Sequence, residues 1–293
     1  MRERLMNDRV GLGWRGELSA SILERLDAID VLEVIAEDWL HAPRREQRAL
    51  RALAMERPVV LHGVALGMAS SLPAEERRLE RMARLADLVR PLAWSEHLAF
   101  VRAADIEIGH LAAAPRTEAT IEGTLANLHR ASRVVGVLPA MENIATLIDP
   151  PASSMDESEW TCRIVRQSGA PMLLDLHNLY ANGLNFGTEP GELLARMPLD
   201  RVTMVHLSGG RWLHPRECAP RLLDDHLHDV PDPVFGLLET LAAATAAPLT
   251  VIIERDGRYP DFAVIVRQLE RAREALAAGR GRARIASGVR VAA

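Results

Sequence analysis

The sequence predicts a single (β/α)8 TIM barrel, an α/β fold in which a closed ring of parallel strands is surrounded by helices. Short apolar runs rich in β-branched residues alternate with longer amphipathic stretches along the chain. This alternation indicates parallel strands joined by crossover helices. Eight such units fit within the 293 residues, as a barrel of this type requires. An open doubly wound sheet is the alternative fold.

The elements follow from these patterns in chain order. The candidate strands are residues 10–14, 31–35, 58–62, 92–97, 137–142, 172–175, 202–206 and 249–254. The clearest candidate helices are residues 73–90, 117–133, 155–167, 231–244 and 260–278. Proline at the first position of the 73–90 stretch is typical of a helix start. We expect the barrel to occupy residues 1–278, with Gly279 ending the last helix and residues 279–293 forming a flexible basic tail.

Composition excludes several classes of protein. A net charge of -5 and a pI near 6.1 give no electrostatic footprint for nucleic acid. The chain has no apolar run long enough to cross a membrane, and its charged first residues do not resemble a secretory signal. The two cysteines, Cys162 and Cys218, are too few for a disulfide framework and predict a cytoplasmic protein.

Polar residues mark the carboxyl ends of six successive candidate strands. They are His62, Glu96, His97, Glu142, Asn143, Asp175, His206, Glu254, Arg255 and Asp256, and His177 and Asn178 follow the sixth strand directly. A lone His there is more often a hydrogen-bonded structural residue, and a lone Asp or Glu is often a helix cap. Six successive occurrences instead predict one site, because the strand ends of a barrel meet at its carboxyl face.

The number and type of these side chains predict more than one metal ion. Burying so many imidazoles and carboxylates is costly unless cations compensate them. A tetrahedral zinc site needs only three or four protein ligands, whereas carboxylates can bridge the ions of a two-metal site. Because the set contains no thiolate, it favours iron, manganese or zinc.

The segment after the seventh strand, residues 222–233, adds further candidates. Asp224, His226 and His228 alternate along it, and in an extended segment alternate side chains lie on one side. Asp224 and His226 are therefore predicted metal ligands. The alternative is a turn that leads into the helix at residue 231, with Asp229 or Asp232 near its N-cap.

Other polar residues are predicted to surround the site or to contact the substrate. Arg15 ends the first strand, and Glu33 and Glu37 lie at the second. Residues 178–187, which include Asn182, are predicted to form a polar and aromatic loop that acts as a lid.

The chain resembles the multinuclear non-heme iron-dependent oxidases, also known as domain of unknown function 692. The resemblance covers residues 11 to about 278. Its motifs are Gly-Leu-Gly-Trp-Arg, Glu-Val-Ile-Ala-Glu-Asp-Trp, Leu-His-Gly-Val-Ala-Leu-Gly, Ser-Glu-His-Leu-Ala-Phe, Met-Glu-Asn, Leu-Leu-Asp-Leu-His-Asn-Leu-Tyr, Val-His-Leu-Ser-Gly, Asp-Asp-His-Leu-His and Ile-Glu-Arg-Asp-Gly.

The resemblance implies a xylose isomerase-like TIM barrel with two or three iron ions. It also implies oxidation of cysteine residues in ribosomally made peptides with O2, and a partner protein that presents the precursor. The ligands carried over by motif are His62, His97, Glu142, Asp175, Asn178, His206, Asp224, His226 and Glu254. The chain departs from the family at His177, where members often have Asn, and at Gly210, where they often have a second His. His177 or His228 is the expected substitute ligand.

Three other functions compete with this one. A two-metal phosphodiesterase of the endonuclease type could use the same ligands, but the acidic balance of the chain disfavours it. A divalent-metal sugar isomerase resembling xylose isomerase would need a lysine, and all 35 of the chain's Lys and Arg residues are arginines. A metal-binding protein without catalysis would take up metal and consume no oxygen.

Overall fold

A computed structural model describes residues 7–103, 106–216 and 219–291; Cys218 lies outside these ranges. The strands are β1 Arg9–Gly13, β2 Leu32–Ile35, β3 Val59–Gly63, β4 Ala93–His97, β5 Phe100–Ala103, β6 Ile106–Ala112, β7 Ala140–Glu142, β8 Met172–Asp175, β9 Val202–Leu207, β10 Gly210–Leu213, β11 Arg221–Asp224 and β12 Thr250–Ile253. The helices are α1 Ser19–Glu24, α2 Glu37–Leu40, α3 Arg44–Glu56, α4 Glu76–Val89, α5 Glu118–Val135, α6 Glu157–Ser168, α7 Leu176–Phe186, α8 Pro190–Arg196, α9 Asp232–Ala244 and α10 Phe262–Val291.

Eight of the strands form a closed barrel, which confirms the predicted fold class. Their order around the ring is β1-β12-β9-β8-β7-β4-β3-β2, and all eight predicted strands are present. Strands such as β3 and β12 are buried along their whole length, because the strands of a parallel sheet are covered on both faces. This explains why their sequences are continuous apolar runs.

The residues fall into two compact units. The first unit comprises residues 1–30, 145–147 and 174–293, and within it β12 pairs in parallel with β1 and β9. The second unit comprises residues 31–144 and 148–173, and within it β2, β3, β4, β7 and β8 pair in parallel in that order.

Two antiparallel hairpins that the sequence did not predict interrupt the alternation of strands and helices. Strands β5 and β6 form the first hairpin, directly after β4. Strands β10 and β11 form the second, after β9, and Gly210 pairs with Asp224. The second hairpin therefore ends on one of the predicted ligands.

The helices α4, α5, α6 and α9 confirm four predicted helices, with each end within three residues of its expected position. Asp232 is the first residue of α9 and so lies near the N-cap, as predicted, and the N-cap residue Pro231 makes no side-chain cap hydrogen bond. Asp229 accepts a hydrogen bond from Arg255 at 2.8 Å, and Asp232 pairs with Arg271 at 2.6 Å. Both aspartates bind arginines and do not cap the helix.

The predicted lid at residues 178–187 is also wrong, since most of this segment is α7. Asp175 is the N-cap of α7, and its carboxylate accepts a hydrogen bond from the backbone N–H of Asn178 at 2.7 Å. Gly187 ends the helix with φ +76°, a conformation that glycine adopts without strain. Most of α7 is buried.

The last helix does not stop at Gly279, contrary to prediction. Helix α10 continues to Val291, and a Cβ at Gly279 would lie 2.3 Å from the backbone oxygen of Glu239 in α9. Arg280 binds both carboxylate oxygens of Asp8, at 2.7 and 3.0 Å. A flexible tail therefore does not begin at Gly279. Among the described residues, no helix has the length and apolar character needed to span a bilayer.

Candidate metal centre

Three side chains at the ends of β3, β4 and β7 form what we call the His97 cluster: His62, His97 and Glu142. Each offers a ligand atom within 4.8 Å of the other two, and all three are buried. The Nε2 atoms of His62 and His97 lie 3.5 and 3.3 Å from the same oxygen, Glu142 Oε2. Two imidazoles and a carboxylate thus converge on one point.

Both rings of the His97 cluster are oriented by a second contact. His97 Nδ1 lies 3.2 Å from the carbonyl oxygen of Gly63; a carbonyl only accepts, so Nδ1 carries the proton and the Nε2 lone pair faces Glu142. His62 Nδ1 lies 2.8 Å from Ser95 Oγ. This pairing of an outer hydrogen bond with an inward nitrogen is typical of metal-binding histidines. The wholly buried Glu33 also offers a ligand atom within 4.8 Å of His62.

Glu37 and Glu96 hold the loop that follows His62. Glu37 Oε1 accepts hydrogen bonds from the N–H groups of Val64 and Ala65 at 3.0 Å, and Glu96 Oε1 accepts one from Leu66 at 2.9 Å. Burial and, secondarily, the charge of Glu37 raise the pKa of Glu96 well above its usual value. Burial also raises the pKa of Glu37, although its backbone hydrogen bonds oppose this. Burial thus shifts the pKa of both carboxyls upward.

A second group, the His206 cluster, consists of Asp175, His206 and Glu254. These residues lie at the ends of β8, β9 and β12, are buried, and offer ligand atoms within 4.8 Å of one another. His206 Nδ1 lies 3.1 Å from Glu254 Oε2. The predicted ligands of these three strands are thus brought together.

Asp224 and His226 meet each other beside Glu254. His226 Nε2 lies 2.7 Å from Asp224 Oδ2, and His226 Nδ1 lies 3.8 Å from Glu254 Oε2. The backbone is not extended as predicted, because His226 has φ +54°. The side chains nevertheless lie on one side, as the spacing suggested.

The charges around His226 are strongly coupled. Burial disfavours the His226 cation, but Glu254 and Asp224 outweigh it and raise the pKa of His226 well above its usual value. Burial alone would raise the pKa of Asp224, yet the His226 charge and the hydrogen bonds of His177 and His226 hold it far below its usual range. Asp224 is therefore ionised and His226 protonated when no cation is bound.

Arg15 and Asp256 extend this network to the surface. Arg15 Nε donates to Asp256 Oδ1 at 2.7 Å, and Asp256 Oδ2 lies 3.1 Å from His226 Nδ1. Burial would raise the pKa of Asp256, but these two partners lower it. The side chain of Asp256 is 40% exposed, so this end of the network reaches solvent. Arg255 points elsewhere and holds Asp229 and the carbonyl of Gly257, each at 2.8 Å.

The two candidate substitute ligands differ in their surroundings. His177 is wholly buried, its Nδ1 lies 2.8 Å from Asp224 Oδ1, and its Nε2 has no hydrogen-bond partner among the described residues. A Cβ at Gly210 would lie 2.7 Å from the ring of His177, so a larger residue there would clash with this imidazole. His228 is one-third exposed and bonds to Asp225 at 2.9 Å. His177 is therefore the better placed of the two.

The predicted polar residues of β7 and α7 are buried beside ligands. Asn143 follows Glu142, and Asn178 follows Asp175 by three residues. Asn182 Oδ1 accepts a hydrogen bond from the N–H of Thr146 at 2.8 Å. Asn182 thus fixes the segment after β7.

Sequence reasoning missed two serines that orient candidate ligands. Ser95 contacts His62, and Ser208 Oγ donates to Asp224 Oδ1 at 3.0 Å. Each serine lies two residues from a predicted ligand, His97 or His206, and so on the same face of its strand. That period of two was a usable signal.

The donors present fit iron. Each cluster supplies buried imidazole nitrogens and carboxylate oxygens without a thiolate, a set that suits iron, manganese and zinc. Carboxylates buried in this way are expensive unless a cation or a proton compensates them.

Comparison with known proteins gives a family match over nearly the whole chain. The model of a family described as RiPP precursor modification enzyme MbnB/TglH/ChrH matches residues 9–277. A UPF0276 protein of Streptomyces avermitilis is 34% identical over 91% of the chain, which spans 54% of that relative's length. A UPF0276 protein of Caulobacter vibrioides is 32% identical over 93% of the chain and 96% of its own length.

Solved structures show the same fold at low identity. An L-ribulose 3-epimerase matches with a TM-score of 0.60 and 13% identity, covering 96% of this chain and 97% of its own. A xylose isomerase domain-containing protein of Salmonella typhimurium matches with a TM-score of 0.59 and 18% identity, covering 92% and 97%. These neighbours establish the xylose isomerase-like TIM barrel.

Proposed function

Because the chain belongs to the family of RiPP precursor modification enzymes MbnB/TglH/ChrH, we propose that it is an iron-dependent oxidase acting on a ribosomally synthesised peptide. The proposed reaction uses O2 to modify cysteine residues of that peptide. The relatives named UPF0276 proteins carry no activity in their names, so the activity of the whole protein is part of the proposal.

The observation that carries the proposal is the pair of buried imidazole–carboxylate clusters. Each cluster contains three residues whose ligand atoms lie within 4.8 Å of one another. One ion needs only three or four protein ligands. We therefore propose two or three iron ions, with Asp224, His226 and Asn178 as additional ligands.

A third ion would need a further ligand, and His177 is our choice over His228. The buried His177 Nε2 has no hydrogen-bond partner among the described residues. Its Nδ1 faces a carboxylate, which is the outer contact that ligating histidines commonly make.

Bound iron would activate dioxygen for the reaction. It would also offer a Lewis-acid position for a substrate thiolate. The protein's own residues prepare that position. Gly63 and Ser95 fix the rings of His97 and His62, so that both Nε2 atoms face Glu142. Such preorganisation holds the reacting groups together and lowers the entropic part of the barrier.

Around the clusters, charged residues are proposed to position the peptide. Arg15 and Asp256 form an ion pair whose aspartate reaches solvent, and this pair holds His226 in place through its Nδ1. We propose that a peptide approaching the His206 cluster meets these side chains first.

The proposed setting is cytoplasmic, with a partner protein that presents the precursor. The support for a peptide substrate is the family itself. The partner and the compartment follow from the sequence resemblance and the scarcity of cysteine.

The test is reconstitution of metal-free protein with Fe(II) under anaerobic conditions, followed by a cysteine-containing peptide and O2. We expect a change in peptide mass that requires both iron and O2. Parallel samples loaded with Mn(II) or Zn(II) should leave the peptide unchanged. Equal activity of the manganese or zinc protein without oxygen would contradict the proposal.

A further inference from the structure

A cleft in the second unit, lined by residues other than the members of the His97 cluster, has the chemistry of a peptide-binding subsite. Two cavities of about 200 and 210 Å³ lie along α4. They share Leu40 and Arg81 among their lining residues, and so form one cleft. Their joint size reaches the lower end of typical ligand pockets.

Half of the residues that line the cleft are apolar. Leu40 comes from α2, Leu66 from the loop after β3, and Met82, Leu85 and Leu88 from α4. Such walls accept an aliphatic side chain.

One positive charge in the cleft lacks an acidic partner. Arg81 forms no salt bridge within the part of the chain that the structure describes, and its contact is with His41 Nε2 at 2.7 Å. An arginine can only donate, so His41 Nε2 accepts this hydrogen bond. The guanidinium of Arg81 is therefore available for a carboxylate.

The neighbouring arginines differ from Arg81. Arg78 is paired with Glu75 at 2.9 Å and with Glu107 at 2.6 Å. Arg84 lies 3.8 Å from Glu80 in an exposed pair, which contributes little. Arg81 is thus the position that most favours an anionic ligand, with Arg84 adding positive charge nearby.

The cleft adjoins the segment that carries a cluster ligand. Ala65 and Leu66 line it, and His62 precedes Ala65 by three residues, a span of at most about 10 Å. Glu37, another lining residue, fixes this loop through the N–H groups of Val64 and Ala65. A peptide held in the cleft would therefore contact the loop that follows His62, a member of the His97 cluster.

We propose that this cleft binds an acidic segment of the peptide substrate, with a carboxylate on Arg81 and an adjacent leucine-type side chain against Leu40 and Leu85. This inference rests on the proposed function for the identity of the occupant. It adds a specificity-determining residue, Arg81, and a preferred composition of the peptide near the modified cysteine.

The test measures binding to the iron-loaded protein under anaerobic conditions, so it does not depend on turnover. The probes are two fluorescein-labelled peptides, Gly-Glu-Leu-Leu-Gly-Cys and Gly-Lys-Leu-Leu-Gly-Cys, followed by fluorescence anisotropy. We expect the glutamate peptide to bind at least about 10-fold more tightly, as a charge-assisted hydrogen bond to arginine predicts.

Two matched variants of α4 assign the effect. Arg81→Ala should weaken binding of the glutamate peptide about 10-fold, while Arg77→Ala, which changes an exposed arginine of the same helix, should leave binding unchanged. A charge-swapped variant, Arg81→Glu, should reverse the preference toward the lysine peptide. That reversal requires a folded protein, so it separates recognition from misfolding.

Equal binding of the two peptides, or equal effects of the Arg77 and Arg81 variants, would overturn the inference. Arg81-dependent self-association in sedimentation velocity would also overturn it, by assigning the cleft to a second copy of the chain. Failure of the oxidase reaction with intact, Arg81-dependent binding would instead contradict only the proposed function.

Discussion

The His97 cluster and the His206 cluster both place imidazoles beside buried carboxylates, but the pKa values of the acidic groups next to them are shifted in opposite directions. Beside the His97 cluster, burial raises the pKa values of Glu37 and Glu96 and favours their protonated forms. Beside the His206 cluster, Asp224 is ionised and His226 carries the compensating charge. Burial dominates the pKa shifts of the carboxyls in the first region, and ion pairing dominates in the second.

This difference has a consequence for metal binding. A cation at the His206 cluster competes with the proton on His226, because a ligating imidazole must give up that proton. The His97 cluster has outer hydrogen bonds that already leave the lone pair of His97 facing inward. We therefore expect iron binding to depend more strongly on pH at the His206 cluster.

The largest expected effect is the loss of a ligand from either cluster. We expect His97→Ala and His206→Ala each to lower iron content by about one ion per chain and peptide modification by at least about 100-fold. Metal analysis and peptide mass spectrometry check this. The exposed His129 provides the control, and a His129→Ala protein should match the wild type. Full activity in either cluster variant would remove that cluster from the site.

The ion pair between Asp224 and His226 should contribute to the stability of the metal-free protein. Asp224→Asn is expected to destabilise the metal-free protein by about 2–3 kcal/mol near pH 6, because it removes the carboxylate that contacts the mostly buried His226 imidazolium at 2.7 Å. Asp232→Asn, which changes a strongly exposed ion pair, should cost less than about 1 kcal/mol. Chemical denaturation of the metal-free proteins measures both.

The pH dependence of that effect follows from the signs of the shifts. Asp224 has a lowered folded pKa, so its contribution is present above its unfolded pKa of about 3.9 and is lost as pH falls through the folded value. His226 has a raised folded pKa, so its contribution is full below about 6.5 and is lost as pH rises through the folded value. A stability difference that grows toward strong acid would contradict this assignment.

Loss of the hydrogen bond that orients His62 should have an effect of intermediate size on iron binding at the His97 cluster. Ser95→Ala removes the contact to His62 Nδ1 and is expected to weaken iron binding at the His97 cluster about 10-fold. Ser208→Ala acts on Asp224 and should leave iron binding at the His97 cluster unchanged. Anaerobic iron titration with a competing chelator distinguishes them.

The smallest expected effect is that of Glu96→Gln, which should stabilise the protein, whereas Asp224→Asn should destabilise it. Burial raises the pKa of Glu96, so the unfolded chain releases its proton above about pH 4.3 while the folded chain keeps it. Stability therefore falls as pH rises from that value toward the folded pKa. Glu96→Gln removes this penalty and keeps an acceptor for the N–H of Leu66, so it should raise the thermal midpoint at pH 7 and have no effect near pH 4. A lower midpoint at both pH values would contradict the assigned protonation.

Much of the fold and the ligand set could be predicted, because strand ends in this chain are chemically marked. Six of the barrel strands are short apolar runs with a polar residue at the carboxyl end, as at His97, Glu142 and His206. The alternation of strands and helices is then enough to predict the closed ring. The members of each cluster were predicted from those positions.

The prediction of a lid at residues 178–187 was wrong because the asparagines of this segment recur with a helical period. Asn178, Asn182 and Asn185 are spaced by four and three residues, which is one face of a helix. All three are buried, and Asn185 binds the backbone of Leu222 in both directions, at 3.0 and 2.7 Å. Polar composition suggested a loop, whereas the amides of Asn182 and Asn185 bind backbone groups of neighbouring segments.

The tail and the charge network depended on contacts distant in sequence. Gly279 allows close approach to α9, and Arg280 pairs with Asp8 across more than 270 residues. Local sequence gives no sign of either contact. His226, which has a positive φ, similarly contacts Asp256, a residue distant in sequence.

The most direct test of the central claim is the Mössbauer spectrum of protein loaded anaerobically with ⁵⁷Fe(II). If each cluster holds iron, the wild type shows at least two iron environments, and His97→Ala and His206→Ala each lose a different one. A single environment in the wild type, or loss of the same environment in both variants, would contradict the claim that each cluster holds its own iron ion.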